Sequence, residues 1–220
     1  MMETLQETIN VIDLGYIDYL SAYKLQQEAV NRVIETGQQS IFLCEHPPVI
    51  TLGRLAKEEN FIISREQIKA DNVEIHSIDR GGDITLHSPG QLVAYPILKL
   101  TNYGKDLHLY LMNLEKVLID LLAEFDILAS RFPGRTGVWF SGKKIASIGI
   151  GVRKWISFHG IGLNVSTDLN LFSYIKPCGL NVRMTSIADI KKMQIDMGQI
   201  KSEFLRKFTD VFNVRLTAGE

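Results

Sequence analysis

The chain has 220 residues, 45% of them hydrophobic, and a formal net charge of −1. This composition supplies enough apolar side chains for a large core, and the near-zero charge argues against nucleic acid or an anionic membrane as the main partner. Two cysteines are too few for a disulfide framework or a four-cysteine zinc site, and neither an apolar leader nor an uncharged run of membrane-spanning length is present, which predicts a cytoplasmic protein with free thiols.

The first half of the chain is predicted to form strands interrupted by one helix. Apolar residues at helical spacing predict a helix from Tyr16 to Ile34 that ends at Gly37. Apolar runs predict strands at 11–14, 40–44, 49–53, 73–78 and 92–100. Pro47 and Pro48 cannot lie within a sheet, so the chain is expected to turn a rigid corner between the second and third of these strands.

The segment from Arg80 to Gln91 is predicted to form a ligand cradle. It begins with a glycine pair after Arg80 and ends with Pro-Gly-Gln. Between them, polar residues alternate with apolar ones in the order Asp83, Ile84, Thr85, Leu86, His87. This alternation predicts a short strand with one polar face, and a glycine pair allows a sharp bend or the close approach of a ligand. A tight turn that leads into an ordinary hairpin is the alternative.

The second half of the chain contains the strongest helix signal and a β-meander. An apolar stripe runs from Asp106 to Phe125 and is interpreted as core. Strands are predicted at 138–140, 144–152 and 156–165, and helices are predicted to begin at Ser186 and Asp196. Because no repeat, linker or break in composition occurs, the pattern predicts a single α/β (α+β) domain that spans residues 1–220.

Lys144 stands on the apolar face of its predicted strand. It shares parity with Ala146, Ile148 and Ile150, whereas Lys143 lies on the other face. Burial disfavours the ammonium form of a lysine, so Lys144 is a candidate base. The alternative is that Lys144 lies at a strand end and extends its amine to water.

Cys178 is the better nucleophile candidate of the two cysteines. Proline and glycine flank it and predict an irregular loop, whereas Cys44 lies within an apolar strand, where a thiol behaves as a small hydrophobic group. A nearby lysine would favour the thiolate that a nucleophilic cysteine requires. His159 is a rival base, although a hydrogen-bonded core histidine is the simpler interpretation, and His46 is expected to be structural.

Six short motifs together resemble one family. In chain order they are Glu45-His46-Pro47-Pro48 with Thr51-Leu52-Gly53-Arg54; Arg80-Gly81-Gly82 with Thr85, His87 and Pro89-Gly90-Gln91; Gly137-Val138-Trp139; Lys144-Ile145-Ala146-Ser147-Ile148-Gly149; Phe158-His159-Gly160 with Leu163-Asn164-Val165 and Asp168-Leu169; and Pro177-Cys178-Gly179 with Thr185-Ser186. The chain resembles bacterial lipoyl(octanoyl) transferases of the LipB type, in the biotin/lipoate protein ligase superfamily. The resemblance implies a catalytic domain with mixed, largely antiparallel β-sheets flanked by helices.

The resemblance also implies a reaction. Octanoyl would pass from acyl carrier protein to a thioester on Cys178, with assistance from Lys144, and then to a lysine ε-amine. A thioester is already activated, so no cofactor, ATP or metal is expected, and the chain shows neither a phosphate-binding loop nor zinc-ligand spacing. The implied acceptors are the lipoyl domains of 2-oxoacid dehydrogenases and the glycine cleavage H protein, and a monomer is expected.

By the same resemblance, three segments form the walls of the acyl pocket. The expected substrate-binding residues are Arg80, Gly81, Gly82, Asp83, Ile84, Thr85, Leu86, His87, Ser147, Ile148, Gly149, Gly160, Ile161 and Gly162. The glycines are expected to leave room for a thin alkyl chain, and His87 is expected mainly to orient its loop. Gly162 stands where the family more often has alanine, which should change the pocket shape slightly.

Three other functions compete with this interpretation. An ATP-dependent lipoate or biotin ligase would activate a free acid, an amidotransferase would take octanoyl from another lipoyl protein, and a non-enzymatic module would only bind a carrier protein. Acyl carrier proteins are acidic, so the basic residues expected to contact one are Arg54, Lys57, Arg153 and Lys154.

Overall fold

A computed structural model describes residues 6–177 and 182–219. The helices are α1 (Tyr19–Thr36), α2 (Arg65–Ala70), α3 (Leu107–Ala123), α4 (Ile187–Lys191) and α5 (Met197–Phe212). The strands are β1 (Thr8–Tyr16), β2 (Gln39–Glu45), β3 (Val49–Leu52), β4 (Glu74–Ser77), β5 (Ile84–His87), β6 (Gln91–Ile97), β7 (Ser130–Phe132), β8 (Arg135–Phe140), β9 (Lys143–Arg153), β10 (Ile156–Asn164) and β11 (Arg215–Ala218).

The strands form two mixed sheets. The large sheet has the order β11-β1-β2-β6-β10-β9-β8-β7, in which β11, β1 and β2 are parallel and every other neighbouring pair is antiparallel. In the small sheet, β3 lies between β4, which is parallel to it, and β5, which is antiparallel. The predicted fold class, an α/β domain with mixed and largely antiparallel sheets, is confirmed.

Helices cover both faces of the large sheet. The alternation along β6 shows this arrangement, because Leu92 and Ala94 belong to the core under α3 and α5, whereas Val93 and Tyr95 belong to the core under α1. A third apolar cluster lies in the small sheet. This cover on both sides explains why every residue of β10, a central strand, is buried.

The first helix begins later than its apolar spacing predicts. Asp18 caps α1 by accepting a hydrogen bond from the backbone N–H of Ser21 (2.9 Å), so Tyr16 remains in β1 and is exposed. The end at Gly37 is confirmed, because this residue has φ 78° and donates its N–H to the carbonyl of Val33. Leu20, one of the apolar residues at helical spacing, is also exposed.

The meander of β8, β9 and β10 and helix α3 confirm the strongest sequence signals. Helix α2 and strands β7 and β11 were not predicted, because each is short, and β11 is supported by β1, which is distant in the chain. Among the described residues, no helix has both the length and the apolar character needed to cross a bilayer.

Candidate active site

A cavity of about 590 Å³ opens between the two sheets. Its walls come from the turn before β5, from β5 itself, from the middle of β9 and β10, and from aromatic residues of α1 and β6. Its lining residues are Tyr19, Leu55, Lys57, Arg80, Gly81, Gly82, Asp83, Thr85, His87, Tyr95, Leu111, Gly134, Arg135, Thr136, Lys144, Ser147, Ile148, Gly149, Ile150, His159, Gly160, Ile161 and Gly162. This volume is within the usual range for small-molecule sites.

The structure brings most of the sequence-predicted substrate-binding residues to this cavity. Ile84 and Leu86 are the exceptions: both are fully buried and pack with Ile50 and Ile68 in the cluster of the small sheet. Because side chains alternate along a strand, a segment whose polar face lines the cavity must direct Ile84 and Leu86 away from it. Substrate contact by the remaining residues stays a prediction.

Several lining residues were not predicted from the sequence. Leu111 was interpreted as core because it continues the apolar stripe of α3, but it faces the cavity. Gly134 lines the cavity from the β7–β8 turn, and Arg135 and Thr136 line it from the start of β8. Tyr19 stacks on the ring of His87, with 6.2 Å between ring centres, a contact between residues far apart in the chain.

The glycines of the cavity mainly allow protein groups to pack closely. A Cβ on Gly149 would lie 3.1 Å from Cδ of Arg80, and one on Gly162 would lie 2.7 Å from Oε1 of Gln91. A Cβ on Gly160 would collide with the carbonyl of Ala94. At these three positions an added Cβ would therefore meet protein groups, and the expectation that the glycines leave room for an alkyl chain stays a prediction.

Lys144 lies in the wall of the cavity with 1% of its surface exposed. The alternative that its amine extends to water is therefore wrong. Its Nζ lies 5.5 Å from the ring centre of Trp139, a cation–π arrangement. A Cβ on Gly137, which has φ 126°, would lie 2.6 Å from Cε of Lys144, so only glycine leaves space for this side chain.

Helix α3 supports the strand opposite Lys144. Glu115 is buried and accepts the backbone N–H of Gly137 at Oε1 (2.9 Å). Its other oxygen accepts the Nε–H of Arg131 (2.9 Å). Nη2 of Arg131 also donates to the carbonyl of Met112 (2.7 Å). The carboxylate therefore joins α3, β7 and β8 beside the lysine.

Cys178, the predicted nucleophile, lies outside the described residues. The described chain before it is fixed where the N–H of Lys176 donates to the carbonyl of Asn60 (2.7 Å). The described chain after it pairs with Lys144, whose N–H donates to the carbonyl of Arg183 (2.9 Å) and whose carbonyl accepts from Thr185 (2.9 Å). Cys44 is fully buried as predicted, and burial raises the pKa of its thiol.

Arg80 fixes the glycine turn to the small sheet. Its Nη2 donates to the carbonyl (2.8 Å) and the hydroxyl (3.0 Å) of Thr51, and its Nη1 donates to the carbonyl of Gly81 (3.0 Å). The side chain is 7% exposed and also lines the cavity. It therefore determines the shape of the turn that holds the predicted binding residues.

His159 uses both ring nitrogens. Its Nε2–H donates to Asp79 (3.0 Å), which also accepts the hydroxyl of Tyr23 (2.9 Å), and its Nδ1 accepts the hydroxyl of Tyr19 (3.4 Å). Burial lowers the pKa of His159 to about 4, although the Asp79 carboxylate opposes this shift. A neutral ring with both nitrogens engaged agrees with the predicted hydrogen-bonded core histidine. His46 is likewise buried between Ile17 and Tyr95.

A buried chain of hydrogen bonds connects His87 to the segment beside Lys144. Nδ1 of His87 is 2.6 Å from Oε1 of Gln91, and Nε2 of Gln91 donates to Oδ1 of Asn164 (2.9 Å). Nδ2 of Asn164 then donates to the carbonyl of Thr185 (3.0 Å). Burial, followed by the field of His46, lowers the pKa of His87 to about 3. Within the described parts of the chain, no three His, Cys, Asp or Glu side chains are grouped so that they could hold a metal ion.

Comparisons with known proteins agree with this geometry. Residues 18–209 match the family model described as the lipoyl protein ligase A/B catalytic domain. An octanoyltransferase from Solibacter usitatus is 41% identical over 207 residues, 94% of each chain, and one from Geotalea uraniireducens is 46% identical over 173 residues, 78% of each.

A solved structure shares the fold. It is a bi-partite lipoate protein ligase described with its E2 lipoyl domain from Thermoplasma acidophilum, and it has a TM-score of 0.75 at 15% identity, covering 97% of this chain and 86% of its own. Because the family model spans most of the chain and the Solibacter relative covers nearly all of it, the chain belongs to the octanoyltransferase family within the lipoyl protein ligase A/B catalytic domains.

Proposed function

We propose that this chain is an acyltransferase that moves octanoyl from acyl carrier protein to a lysine ε-amine of a lipoyl domain, through a thioester on Cys178. The observation that carries the proposal is Lys144, a buried lysine in the wall of the cavity. Its strand also pairs with the described chain just after the predicted nucleophile. A cysteine and a lysine in this relation can perform acyl transfer without an external base.

In the first half-reaction the Cys178 sulfur attacks the carbonyl carbon of the donor thioester. A new C–S bond forms, the donor C–S bond breaks, and the thiol proton moves through Lys144 to the departing donor sulfur. The exchange of one thioester for another is close to balanced, so no ATP is consumed.

In the second half-reaction the lysine amine of the acceptor attacks the acyl-enzyme. A C–N bond forms, the C–S bond to Cys178 breaks, and the proton lost by the amine returns to the sulfur, with Lys144 as the intermediate base. An amide is more stable than a thioester, so this step drives the reaction forward.

The octanoyl chain is assigned to the described cavity. The proposed contacts are Arg80, Gly81, Gly82, Asp83, Thr85, His87, Ser147, Ile148, Gly149, Gly160, Ile161 and Gly162, all of which line it. Ile84 and Leu86 would act only by supporting the strand, because both face the small-sheet cluster.

Both protein partners would approach the cavity opening. Among the basic residues expected to contact an acidic carrier, Lys57 is exposed and lines the cavity, and Arg135 joins it from the start of β8. Arg153 is a weaker candidate, because its guanidinium hydrogen-bonds Asn31 (2.7 Å) and Gln27 (3.3 Å) of α1. The proposal includes a cytoplasmic monomer with residues 1–220 as a single domain, and the lipoyl domains of 2-oxoacid dehydrogenases and the glycine cleavage H protein as acceptors.

Intact-mass spectrometry without ATP tests the proposal. Incubation with octanoyl-acyl carrier protein should add one octanoyl group to the wild-type chain and to Cys44→Ala, but none to Cys178→Ala. Lys144→Met, which keeps an unbranched side chain in the buried position, should acylate at least about 100-fold more slowly. An adduct that persists on Cys178→Ala, or a strict requirement for ATP and a free acid, would reject the proposal.

A further inference from the structure

The orientation of the Gln91 side chain is fixed by acceptors that cannot change role. Its amide nitrogen lies near the carbonyl oxygen of Leu86 (3.3 Å) and Oδ1 of Asn164 (2.9 Å). Asn164 must present its oxygen to Gln91, because its nitrogen donates to the carbonyl of Thr185 (3.0 Å). The main-chain carbonyls of Leu86 and Thr185 can only accept. The side-chain amide nitrogens of Gln91 and Asn164, which face them, must therefore be the donors.

The same chain determines the tautomer of His87. Oε1 of Gln91 can only accept, so at 2.6 Å from it Nδ1 of His87 must carry the hydrogen. The ring is neutral near pH 7, because burial and the field of His46 lower its pKa to about 3. A neutral imidazole carries one N–H, so Nε2 of His87 is an unprotonated acceptor.

This acceptor is open to the cavity. His87 is one of the lining residues. Its Nε2 makes no hydrogen bond with another described residue, and it is not a buried atom without a partner, so it is accessible from the cavity. Stacking on Tyr19 and an edge contact with His46, 5.8 Å between ring centres, hold the ring in place. His159, the other histidine of the cavity, has no free acceptor because Asp79 and Tyr19 occupy its nitrogens.

We propose that Nε2 of His87 accepts a hydrogen bond from the acceptor protein's lysine amine. This hydrogen bond orients the lone pair of the amine nitrogen toward the acyl-enzyme carbonyl. An octanoyl chain carries no N–H or O–H group, so an acceptor in its pocket contributes nothing to holding it. The amine is the reacting group that brings such donors. The N–H held by Nε2 remains on the nitrogen as the new amide forms, while the proton lost by the amine goes to the Cys178 sulfur.

The proposal rests on the acyl-transfer function, so its test separates the tautomer from the chemistry. Histidine labelled with ¹⁵N is incorporated into the full chain, and long-range ¹H–¹⁵N correlation at pH 7 identifies the protonated nitrogen of each ring. Loss of a signal set in His87→Asn or His87→Gln assigns His87. We expect hydrogen at Nδ1; hydrogen at Nε2 would overturn the proposal whatever the activity.

The second measurement follows the two half-reactions separately by intact mass. His87→Asn keeps an N–H close to Gln91 but removes the Nε2 acceptor. It should slow the transfer of octanoyl to a lipoyl domain at least about tenfold more than it slows formation of the acyl-enzyme, which His87 also affects as a residue of the proposed acyl pocket. His76→Asn is the matched control, because its ring also stacks on Tyr19 but does not line the cavity, and it should change neither rate.

The outcomes are distinct. Transfer by His87→Asn at the wild-type rate would overturn the role of His87, and so would an equal slowing of both half-reactions, which indicates general damage to the site. If the wild-type chain forms no acyl-enzyme, the proposed function fails and the amine-binding role falls with it, whereas the tautomer is decided independently. If neither His87 variant folds, the labelled wild-type spectrum, assigned through the other four histidines, still decides the tautomer.

Discussion

At the residue scale, Gly137 decides whether Lys144 can occupy its buried position. The backbone of Gly137 has φ 126°, and a Cβ there would lie 2.6 Å from Cε and 3.2 Å from Nζ of Lys144. The same Cβ would lie 2.6 Å from the carbonyl oxygen of Ala146 on the paired strand, so the side chain and the strand would both have to move.

We predict that Gly137→Ala slows acylation of Cys178 at least about 100-fold, the loss expected when a reacting group moves by about 1 Å. Gly142→Ala is the matched control. It has φ 76° and nothing within 4 Å of its added Cβ, so it carries backbone strain without displacing the lysine. Single-turnover acylation followed by mass provides the measurement, and equal rates for the two variants would contradict the packing argument.

The inward orientation of Lys144 could be predicted from the sequence, because side chains of a strand point to only two faces and Lys144 lies on the apolar one. The same rule could separate Ile84 and Leu86 from their polar neighbours once the side of the cavity was known. The tautomer of His87 could not be predicted. It depends on the hydrogen bond from Gln91 to Asn164 and on the one from Asn164 to Thr185, and these residues are distant from His87 in the chain.

At the element scale, α3 connects the core to the active site through Glu115. The helix was predicted from its period, and Tyr110, Leu114 and Val117 form its buried face as expected. Glu115 adds a function that hydrophobic spacing does not reveal, because its carboxylate accepts the buried N–H of Gly137.

We predict that Glu115→Ala lowers the free energy of unfolding by about 2 kcal/mol, because the N–H of Gly137 loses its partner in a buried place. Glu115→Gln should cost less, since its side-chain oxygen can still accept this N–H although the ion pair with Arg131 is lost. Urea unfolding provides the comparison. Equal losses in the two variants would show that the ion pair, and not the support of Gly137, carries the effect.

Two basic residues, Arg135 at the start of β8 and Lys57 in the loop before α2, form the basic border of the cavity. Arg135 lies over the ring of Phe132, 4.8 Å from its centre, and faces the cavity together with Lys57 from the loop before α2. Sequence could not predict β7, because a strand of three exposed residues has no hydrophobic pattern. Pairing with β8 holds β7 beside the cavity.

We predict that a double variant, Lys57→Gln with Arg135→Gln, raises the KM for octanoyl-acyl carrier protein at least about fivefold at low salt, because two exposed charges that attract an acidic partner are lost. The difference from wild type should shrink as salt is added. Arg153→Gln is the control and should have a smaller effect, since that residue is held against α1. A KM that is insensitive to both salt and charge would exclude this border as the docking surface.

At the scale of the whole molecule, the interface between the large and small sheets is lined by buried, neutral imidazoles. Desolvation is the leading reason that the pKa of each ring is lowered. The pKa of His46 is lowered, that of His87 is lowered to about 3, and that of His159 is lowered to about 4.

These imidazoles predict a specific dependence of stability on pH. The folded-state pKa values lie below the value of about 6.5 in the unfolded chain, so stability is complete above that pH and is lost as the pH falls, because the unfolded chain takes up protons first. Between pH 7 and pH 5, before the carboxylates titrate, His87 and His159 should each remove about 2 kcal/mol from the free energy of unfolding.

Urea unfolding at intervals of half a pH unit measures this loss. His159→Gln removes one titrating ring, whose surroundings include Asp79, Arg80 and Arg54, and should reduce the loss by about 2 kcal/mol whatever its effect at pH 7. The exposed ring of His108 at the start of α3 provides the control, and His108→Gln should keep the wild-type slope. A wild-type stability that stays flat down to pH 5 would mean that the interface accepts charged imidazoles, and His87 would then carry hydrogen on both nitrogens at pH 5 and could not accept a hydrogen bond from the amine at that pH.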